Sequence, residues 1–169
     1  MASLPNSNLA IFATDLDSPR HAAVFLELLD AYAHDPMGGG VGLSDFAKAQ
    51  LVERLRAQPG FHGALAFLGK KPVGLINCFA GFSTFAAQPL LNIHDIAVLA
   101  EVRGQGIGQA LLAWAAGRAR KLGCCKLTLE VLSNNQPAMA SYVRAGFVPY
   151  MLDPAAGHAL LLQKCLEEA

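Results

Sequence analysis

Three glycines at every second position mark the segment RGQGIG, residues 103–108. A glycine-rich turn that opens a helix leaves backbone N–H groups free, and the helix dipole favours negative charge there, so the segment predicts a phosphate-binding loop. Two familiar phosphate loops do not match. The dinucleotide fingerprint needs glycine where the chain has Gln109, and the nucleoside-triphosphate loop needs Gly-Lys followed by Ser or Thr. From these residues alone, an ordinary strand-to-helix turn is the alternative interpretation.

A second group with acid–base chemistry is the adjacent pair His94 and Asp95, which lies in a β-type run. Because neighbouring side chains of a strand point to opposite faces, counting back in twos from Val98 places Ile96, His94 and Asn92 on one face and Asp95 on the other. Histidine titrates near neutral pH and could accept a proton there. A histidine hydrogen-bonded at a strand edge is the alternative. We expect no metal site, since the five histidines are scattered and no Cys/His cluster occurs.

The elements that must position these residues follow from hydrophobic spacing, which predicts two helices, a three-stranded meander and then alternating helices and strands. In chain order the predicted elements are helices 17–33 and 44–57, strands 63–68, 73–82 and 90–98, a helix from RGQGIG to Gly123, strand 126–132, helix 137–145, and strands 147–152 and 158–164.

The composition indicates one globular domain, 1–169, with 53% apolar and 15% charged residues. Thirteen basic and thirteen acidic residues leave no excess charge to hold a nucleic-acid backbone, so nucleic acid is not expected as a ligand. The first ten residues lack the order of a signal peptide, and no apolar run reaches membrane-spanning length, so a cytoplasmic protein is expected. The four cysteines form no Cys-x-x-Cys motif and are interpreted as reduced and structural.

Two motifs resemble those of the GNAT superfamily of acyl-CoA-dependent N-acetyltransferases. Arg103, Gly106 and Gly108 fit its central motif, in which Gln or Arg is followed by two residues, Gly, one residue, and Gly or Ala. A later motif is present as Asn135, Ala138, Tyr142, Gly146 and Phe147. The resemblance covers roughly residues 90–150. Within the family, the sequence is loosely similar to the spermidine/spermine, or small-amine, branch.

The resemblance implies an α/β (α+β) fold with a mixed, mostly antiparallel sheet of about six to seven strands, splayed fourth and fifth strands, and about four flanking helices. It also implies acetyl-CoA as the cofactor, with its pantetheine arm between the splayed strands and its pyrophosphate at the glycine loop. The implied cofactor-binding residues are Ile96, Ala97, Val98, Arg103, Gly104, Gln105, Gly106, Ile107, Gly108, Asn135, Ala138 and Tyr142.

For catalysis, the resemblance assigns Tyr142 the role of general acid, the alternative being an aromatic side chain that packs on the sheet. His94 stands where related polyamine-type enzymes carry a glutamate, so His94 or water is the candidate base. The backbone N–H of Val98 or a neighbour could bind the oxyanion.

Acceptor selection is expected in the first two helices, the loop between them and the segment near Phe82. The substrate-binding candidates are Asp95, Tyr32, Asp35 and Phe82. The predicted function is direct transfer of the acetyl group of acetyl-CoA to a primary amine of a small molecule in a ternary complex. A non-catalytic acyl-CoA-binding regulatory module and a protein-lysine acetyltransferase are the alternatives, and a homodimer that binds no membrane is expected by analogy.

Overall fold

The computed structural model describes residues 8–151, 153, 155 and 159–166. The elements in chain order are β1 (Leu9–Ala13), α1 (Pro19–His34), α2 (Asp45–Arg56), β2 (Phe61–Leu68), β3 (Lys71–Ser83), β4 (Gln88–Val98), a 3-10 turn (Ala100–Val102), α3 (Ile107–Lys121), β5 (Leu127–Leu129) and α4 (Gln136–Arg144).

The strands form one sheet in the order β1-β2-β3-β4-β5. The first four strands are antiparallel to their neighbours, and β5 pairs parallel to β4. This confirms a mixed, mostly antiparallel sheet, with five strands in the described part of the chain and not six to seven.

Each face of the sheet carries its own apolar core because successive side chains of β3 alternate between the faces. Ile76 and Cys78 are fully buried against α3, whereas Leu75 is fully buried in the core formed with α1 and α2. The sheet therefore separates an α1/α2 face from an α3 face, on which Tyr142 of α4 also packs.

The helices begin where local capping chemistry predicts. Ser18 caps α1 with Pro19 in its first turn, and the Ser44 hydroxyl accepts a hydrogen bond from the N–H of Ala47 at 3.1 Å to cap α2. None of the helices in the described ranges is long and apolar enough to cross a membrane.

Three strand predictions need correction. Strand β1 was not predicted, although its five residues pair with Ala64 through Leu68 of β2. The predicted strands at 147–152 and 158–164 are absent from their described residues, which carry no strand assignment, while 152 and 158 lie outside the described residues. An apolar run forms a strand only if a neighbouring backbone edge is available for pairing.

A β-bulge in β4 also overturns the predicted alternation around His94. Cys78 of β3 pairs with Ile93 and Asn77 pairs with Asp95, which leaves His94 as an extra residue without a partner in β3. The bulge reverses the phase of the strand, so Ile93 and Ile96 both join the core against α3. His94 and Asp95 consequently line the same cavity on the α1/α2 face, and the prediction that they face opposite sides is wrong.

Candidate active site

Strands β4 and β5 separate after a short paired region. They pair from Leu91 with Leu127 to Ile93 with Leu129, and β4 then continues to Val98. The N–H of Leu99 donates to the Val73 carbonyl at 2.9 Å. Since backbone groups of alternate residues point to opposite neighbours, the N–H of Val98 points away from β3 and into the gap. The splay thus exposes a short backbone edge inside the molecule.

The glycine loop lies at the end of this edge. Gly104 and Gly106 have φ values of 78° and 83°, in the left-handed region that residues other than glycine rarely adopt. Gly106 is the N-cap of α3 and offers no side-chain cap. In the described part of the chain, no backbone carbonyl accepts a hydrogen bond from the N–H groups of residues 104–108. These donors at the positive end of a helix are suited to an anion.

Gly108 has a different reason to be glycine. Its φ is not positive, and a methyl group added there would meet only the Cγ2 atom of Val98, at 4.0 Å. The fold itself therefore has room for a methyl group at this position. The space above Gly108 lies free beside the backbone edge of β4, where a bound group could approach the helix closely.

Arg103, the first residue of the loop, holds two elements together. Its Nε donates to the carbonyl of Val98 at 2.9 Å, and its Nη2 donates to Oδ2 of Asp35 at 2.7 Å. Asp35 ends α1, and its other oxygen accepts from the N–H of Met37 at 2.9 Å. The hydrogen bond from Arg103, followed by that from Met37, lowers the pKa of Asp35 below its ordinary value of 3.8.

The bulge brings His94 and Asp95 beside Asn77, a residue that the sequence analysis missed. Nδ2 of Asn77 donates to Oδ2 of Asp95 at 3.0 Å. Asn77 is only 3% exposed, and its Oδ1 has no hydrogen-bond partner among the described residues. The His94 ring lies edge-on to Phe79 with 5.6 Å between ring centroids. The available signal was that Asn77 is the lone polar residue of the apolar run VGLINCFAG.

Two cavities meet at Tyr32 of α1. The first, about 290 Å³, runs along the end of β4 past Val98 to Arg103 and Asp35. The second, about 330 Å³, lies between α1, α2 and the sheet and includes Asn77, His94 and Asp95. Tyr32 belongs to both linings. Burial, with the charges of Asp95 and Asp35, raises the pKa of Tyr32.

Tyr142 of α4 lines neither cavity, but it lies close enough to Tyr32 for the two phenols to influence each other. It is half-buried, with its ring centroid 6.0 Å from that of Phe147. Burial raises the pKa of Tyr142, and the neighbouring Tyr32 raises it further, so the phenol is protonated at neutral pH. The side chain can therefore donate a proton.

Two contacts position α4. The amide Nε2 of Gln109 in α3 donates to the backbone carbonyl and the hydroxyl of Ser141, each at 2.8 Å. Asn135 is the N-cap of α4, and its Oδ1 accepts from the N–H of Ala138 at 3.3 Å. Asn135 and Ala138, both candidates for cofactor binding, thus also shape the start of the helix.

Phe82 and the cysteines lie apart from this chemistry. Phe82 pairs with Pro89 near the far end of β3, is 62% exposed and lines neither cavity.

Cys78 is buried, and burial together with the charge of Asp95 raises the pKa of its thiol to about 12. Such a thiol is not a nucleophile at neutral pH. No group of three His, Cys, Asp or Glu residues that could hold a metal occurs within the described ranges.

The backbone edge, the helix N-terminus with its free amides and the splayed sheet define the class of protein. The chain matches the Acetyltransferase (GNAT) family over residues 26–147 and belongs to that family.

Curated relatives match over part of their length. Streptothricin acetyltransferase of Streptomyces lavendulae is 44% identical over 77 residues, which are 46% of this chain and 41% of the relative. Aminoalkylphosphonate N-acetyltransferase of Salmonella typhimurium is 34% identical over 89 residues, 53% of this chain and 58% of the relative. The chain thus spans about two fifths to three fifths of the length of these relatives.

Among solved structures, an aminoglycoside acetyltransferase from an uncultured soil metagenomic sample superposes with a TM-score of 0.73 at 18% identity. The match covers 96% of this chain and 99% of that one. At this identity the likeness establishes a shared fold.

Proposed function

We propose that the protein is an N-acetyltransferase that moves the acetyl group of acetyl-CoA to a primary amine of a small molecule by direct attack in a ternary complex. The observation that carries the proposal is that the edge of β4 beyond its pairing with β5 is followed, after one 3-10 turn, by the free amides of residues 104–108. Both curated relatives named above are acetyltransferases named after small-molecule acceptors, which supports the acceptor class.

Donor binding would use backbone groups more than side-chain charge. The pantetheine amides would pair with the β4 edge around Ile96 to Val98, and the pyrophosphate would accept hydrogen bonds from the loop amides. The positive φ of Gly104 and Gly106 turns the backbone for this purpose, and Gly108 leaves room for the phosphates. The ion pair with Asp35 makes Arg103 a positioning residue for the loop.

Transfer would proceed by attack of the neutral amine nitrogen on the thioester carbon. The N–H of Val98 would stabilise the tetrahedral oxyanion, since it points into the gap between β4 and β5. As the intermediate collapses, the C–S bond breaks and Tyr142 donates a proton to the departing thiolate. The proton released by the amine goes to His94, directly or through water, and the free thiol of coenzyme A leaves with the acetylated amine.

The test is thiol release from acetyl-CoA by the purified full chain, with a panel of monoamines, polyamines, amino sugars and lysine peptides. We expect turnover with at least one small amine and none with lysine peptides. Binding of acetyl-CoA without turnover by any amine would favour a non-catalytic acyl-CoA-binding module and overturn the enzymatic proposal. Failure to bind acetyl-CoA, measured by calorimetry, would overturn the assignment of the glycine loop as well. Dimerisation and a cytoplasmic location stay predictions.

A further inference from the structure

Helix α4, which carries Tyr142, is attached to the rest of the molecule by few contacts. None of its nine residues is fully buried, and Tyr142 is the α4 side chain that packs against the core on the α3 face. Among the described residues, the two hydrogen bonds from Gln109 of α3 to Ser141 are the ones that link α4 to another helix or strand. The position of α4 beside α3 therefore depends on one polar side chain.

The contacts of the Gln109 amide fix its orientation. A carbonyl oxygen can only accept, so the group that lies 2.8 Å from the Ser141 carbonyl must be the NH₂ group. The same group lies 2.8 Å from the Ser141 hydroxyl oxygen, so its two hydrogens have two acceptors. The Ser141 carbonyl also accepts from the N–H of Ala145 at 3.1 Å, and its two lone pairs serve both donors. Gln109 thus binds α4 without breaking a hydrogen bond of that helix.

The bridge joins the residues that directly follow and precede two proposed functional groups. Gln109 follows Gly108, the last residue of the loop with free amides, and Ser141 precedes Tyr142. Because both hydrogens of the Gln109 amide are directed to Ser141, this side chain has no N–H group to offer a phosphate. Its contacts connect the two helices and leave anion binding to the backbone.

We propose that Gln109 is a positioning residue, which sets the place of the Tyr142 phenol relative to an acyl-CoA donor bound at residues 104–108. The proposal rests on the proposed function, in which Tyr142 protonates the departing thiolate. The loop before α3 fixes the donor, whereas α4 carries the acid, so proton transfer requires a constant separation of the two helices. A proton donor must come within about 2.6–3.2 Å of its acceptor, and a misplacement of about 1 Å can cost about 10²-fold in rate.

The first experiment removes the N–H donors with little change in shape. Gln109→Met keeps the length of the side chain and a high helix propensity but has no N–H group. Thiol release from acetyl-CoA is measured with 2-phenylethylamine, spermidine and glucosamine. With each amine that the unaltered protein acetylates, kcat should fall about ten-fold or more. The calorimetric affinity for acetyl-CoA and the KM for the amine should not change.

Gln136→Met is the matched control, because Gln136 is exposed and donates to the Ser133 carbonyl at the start of its own helix. This variant should keep the kcat of the unaltered protein. An unchanged kcat in a folded Gln109→Met protein would refute the role of Gln109. Weaker binding of acetyl-CoA would show that Gln109 contacts the cofactor, and would overturn the proposal in the same way.

The second experiment asks whether Gln109 acts through Tyr142. When Gln109→Met is added to Tyr142→Phe, kcat should stay within about two-fold of that of Tyr142→Phe alone, since the group that Gln109 positions is already absent. An equal fold-loss in both backgrounds would show a general structural role and overturn the proposal.

If Gln109→Met does not fold, Ser141→Ala removes one of the two acceptors and should show a smaller loss of kcat with the same dependence on Tyr142. A loss of kcat in Ser141→Ala that persists in the Tyr142→Phe background would refute the proposal. Turnover by the unaltered protein with no effect of either substitution would leave the proposed function intact and overturn the role of Gln109. No turnover with any amine would overturn both.

Discussion

Arg103 and Asp35 join the beginning of the glycine loop to the end of α1 through a 2.7 Å ion pair. The pair connects segments that lie 68 positions apart in the chain, and the same guanidinium holds the last carbonyl of β4. Because both residues line the cavity at the end of β4, the contact fixes one wall of that cavity. A sequence pattern can mark each residue as a candidate, but it cannot show that the two are partners.

The ion pair predicts a specific pH dependence of stability. Since the pKa of Asp35 is lowered in the folded state from 3.8, its contribution is fully present above that value and is lost as the pH falls through the lower folded pKa. Urea denaturation between pH 6 and pH 2 should therefore show a steeper acid loss of unfolding free energy for the wild type than for Asp35→Asn. Arg103→Gln should remove only part of this extra steepness, because the Met37 N–H still lowers the pKa of Asp35. Parallel curves for all three proteins would contradict the prediction.

Tyr142 should matter for turnover and not for donor binding. Tyr142→Phe is expected to lower kcat by about 10²- to 10⁴-fold, the usual contribution of a general acid, while the affinity for acetyl-CoA is retained. Its raised pKa also predicts that kcat of the wild type shows no alkaline decline below pH 10.0, the ordinary value for tyrosine. Tyr150→Phe is the control, because Tyr150 is 57% exposed and its ring lies beside Lys126. An unaltered kcat in Tyr142→Phe would remove the acid role.

A substitution at Gly108 can test contact with the cofactor without disturbing the fold. A methyl group at this position meets only Val98 within the chain, so Gly108→Ala should fold normally yet weaken acetyl-CoA binding by about ten-fold or more. Calorimetric titration with acetyl-CoA measures the effect. Gly117→Ala in the same helix is the control, because nothing lies within 4 Å of the added methyl group. It should raise the free energy of unfolding by about 0.5–1 kcal/mol without changing affinity. Equal affinities for all three proteins would place the phosphates elsewhere.

Two variants of Asn135 can distinguish a role in helix capping from a role in ligand binding. Asn135→Ala removes the acceptor for the Ala138 N–H and should lower the free energy of unfolding by about 1 kcal/mol, measured by urea denaturation. Asn135→Ser keeps a capping oxygen and should restore most of this stability. If the side chain also contacts the cofactor, the serine variant will bind acetyl-CoA more weakly despite its normal stability. A serine variant with wild-type affinity would limit Asn135 to capping.

Helical parts of the fold were predictable because periodicity and capping agree locally. The predicted helices at 17–33 and 44–57 correspond to Pro19–His34 and Asp45–Arg56, and Ser18 and Ser44 supply the caps. Strand pairing depends on distant residues, so the short β1 was missed and the final strands were predicted wrongly. A five-residue apolar segment carries no information about which edge it will join.

The candidate site was predictable where it consists of motif residues and not where it depends on contacts. The loop was predictable from the glycines of RGQGIG, because the positive φ angles of Gly104 and Gly106 favour that residue type. Neither the bulge at His94 nor the hydrogen bond between Asn77 and Asp95 follows from counting along one strand. Both arise from the register between two strands, which a single sequence does not display.

His94, which has no partner in β3, changes which face of the sheet the odd-numbered side chains of β4 point to. Before it, odd-numbered side chains face α3, as Leu91 and Ile93 do, and after it even-numbered ones do, as Ile96 and Val98 show. Deleting His94 would therefore remove the bulge and keep the other side chains of β4 on their present faces, because Asp95 would then follow Ile93 in regular alternation. The one extra amino acid places two consecutive side chains, His94 and Asp95, in the same cavity, so a redesign that makes this strand regular would lose the imidazole and leave the core side of the strand as it is.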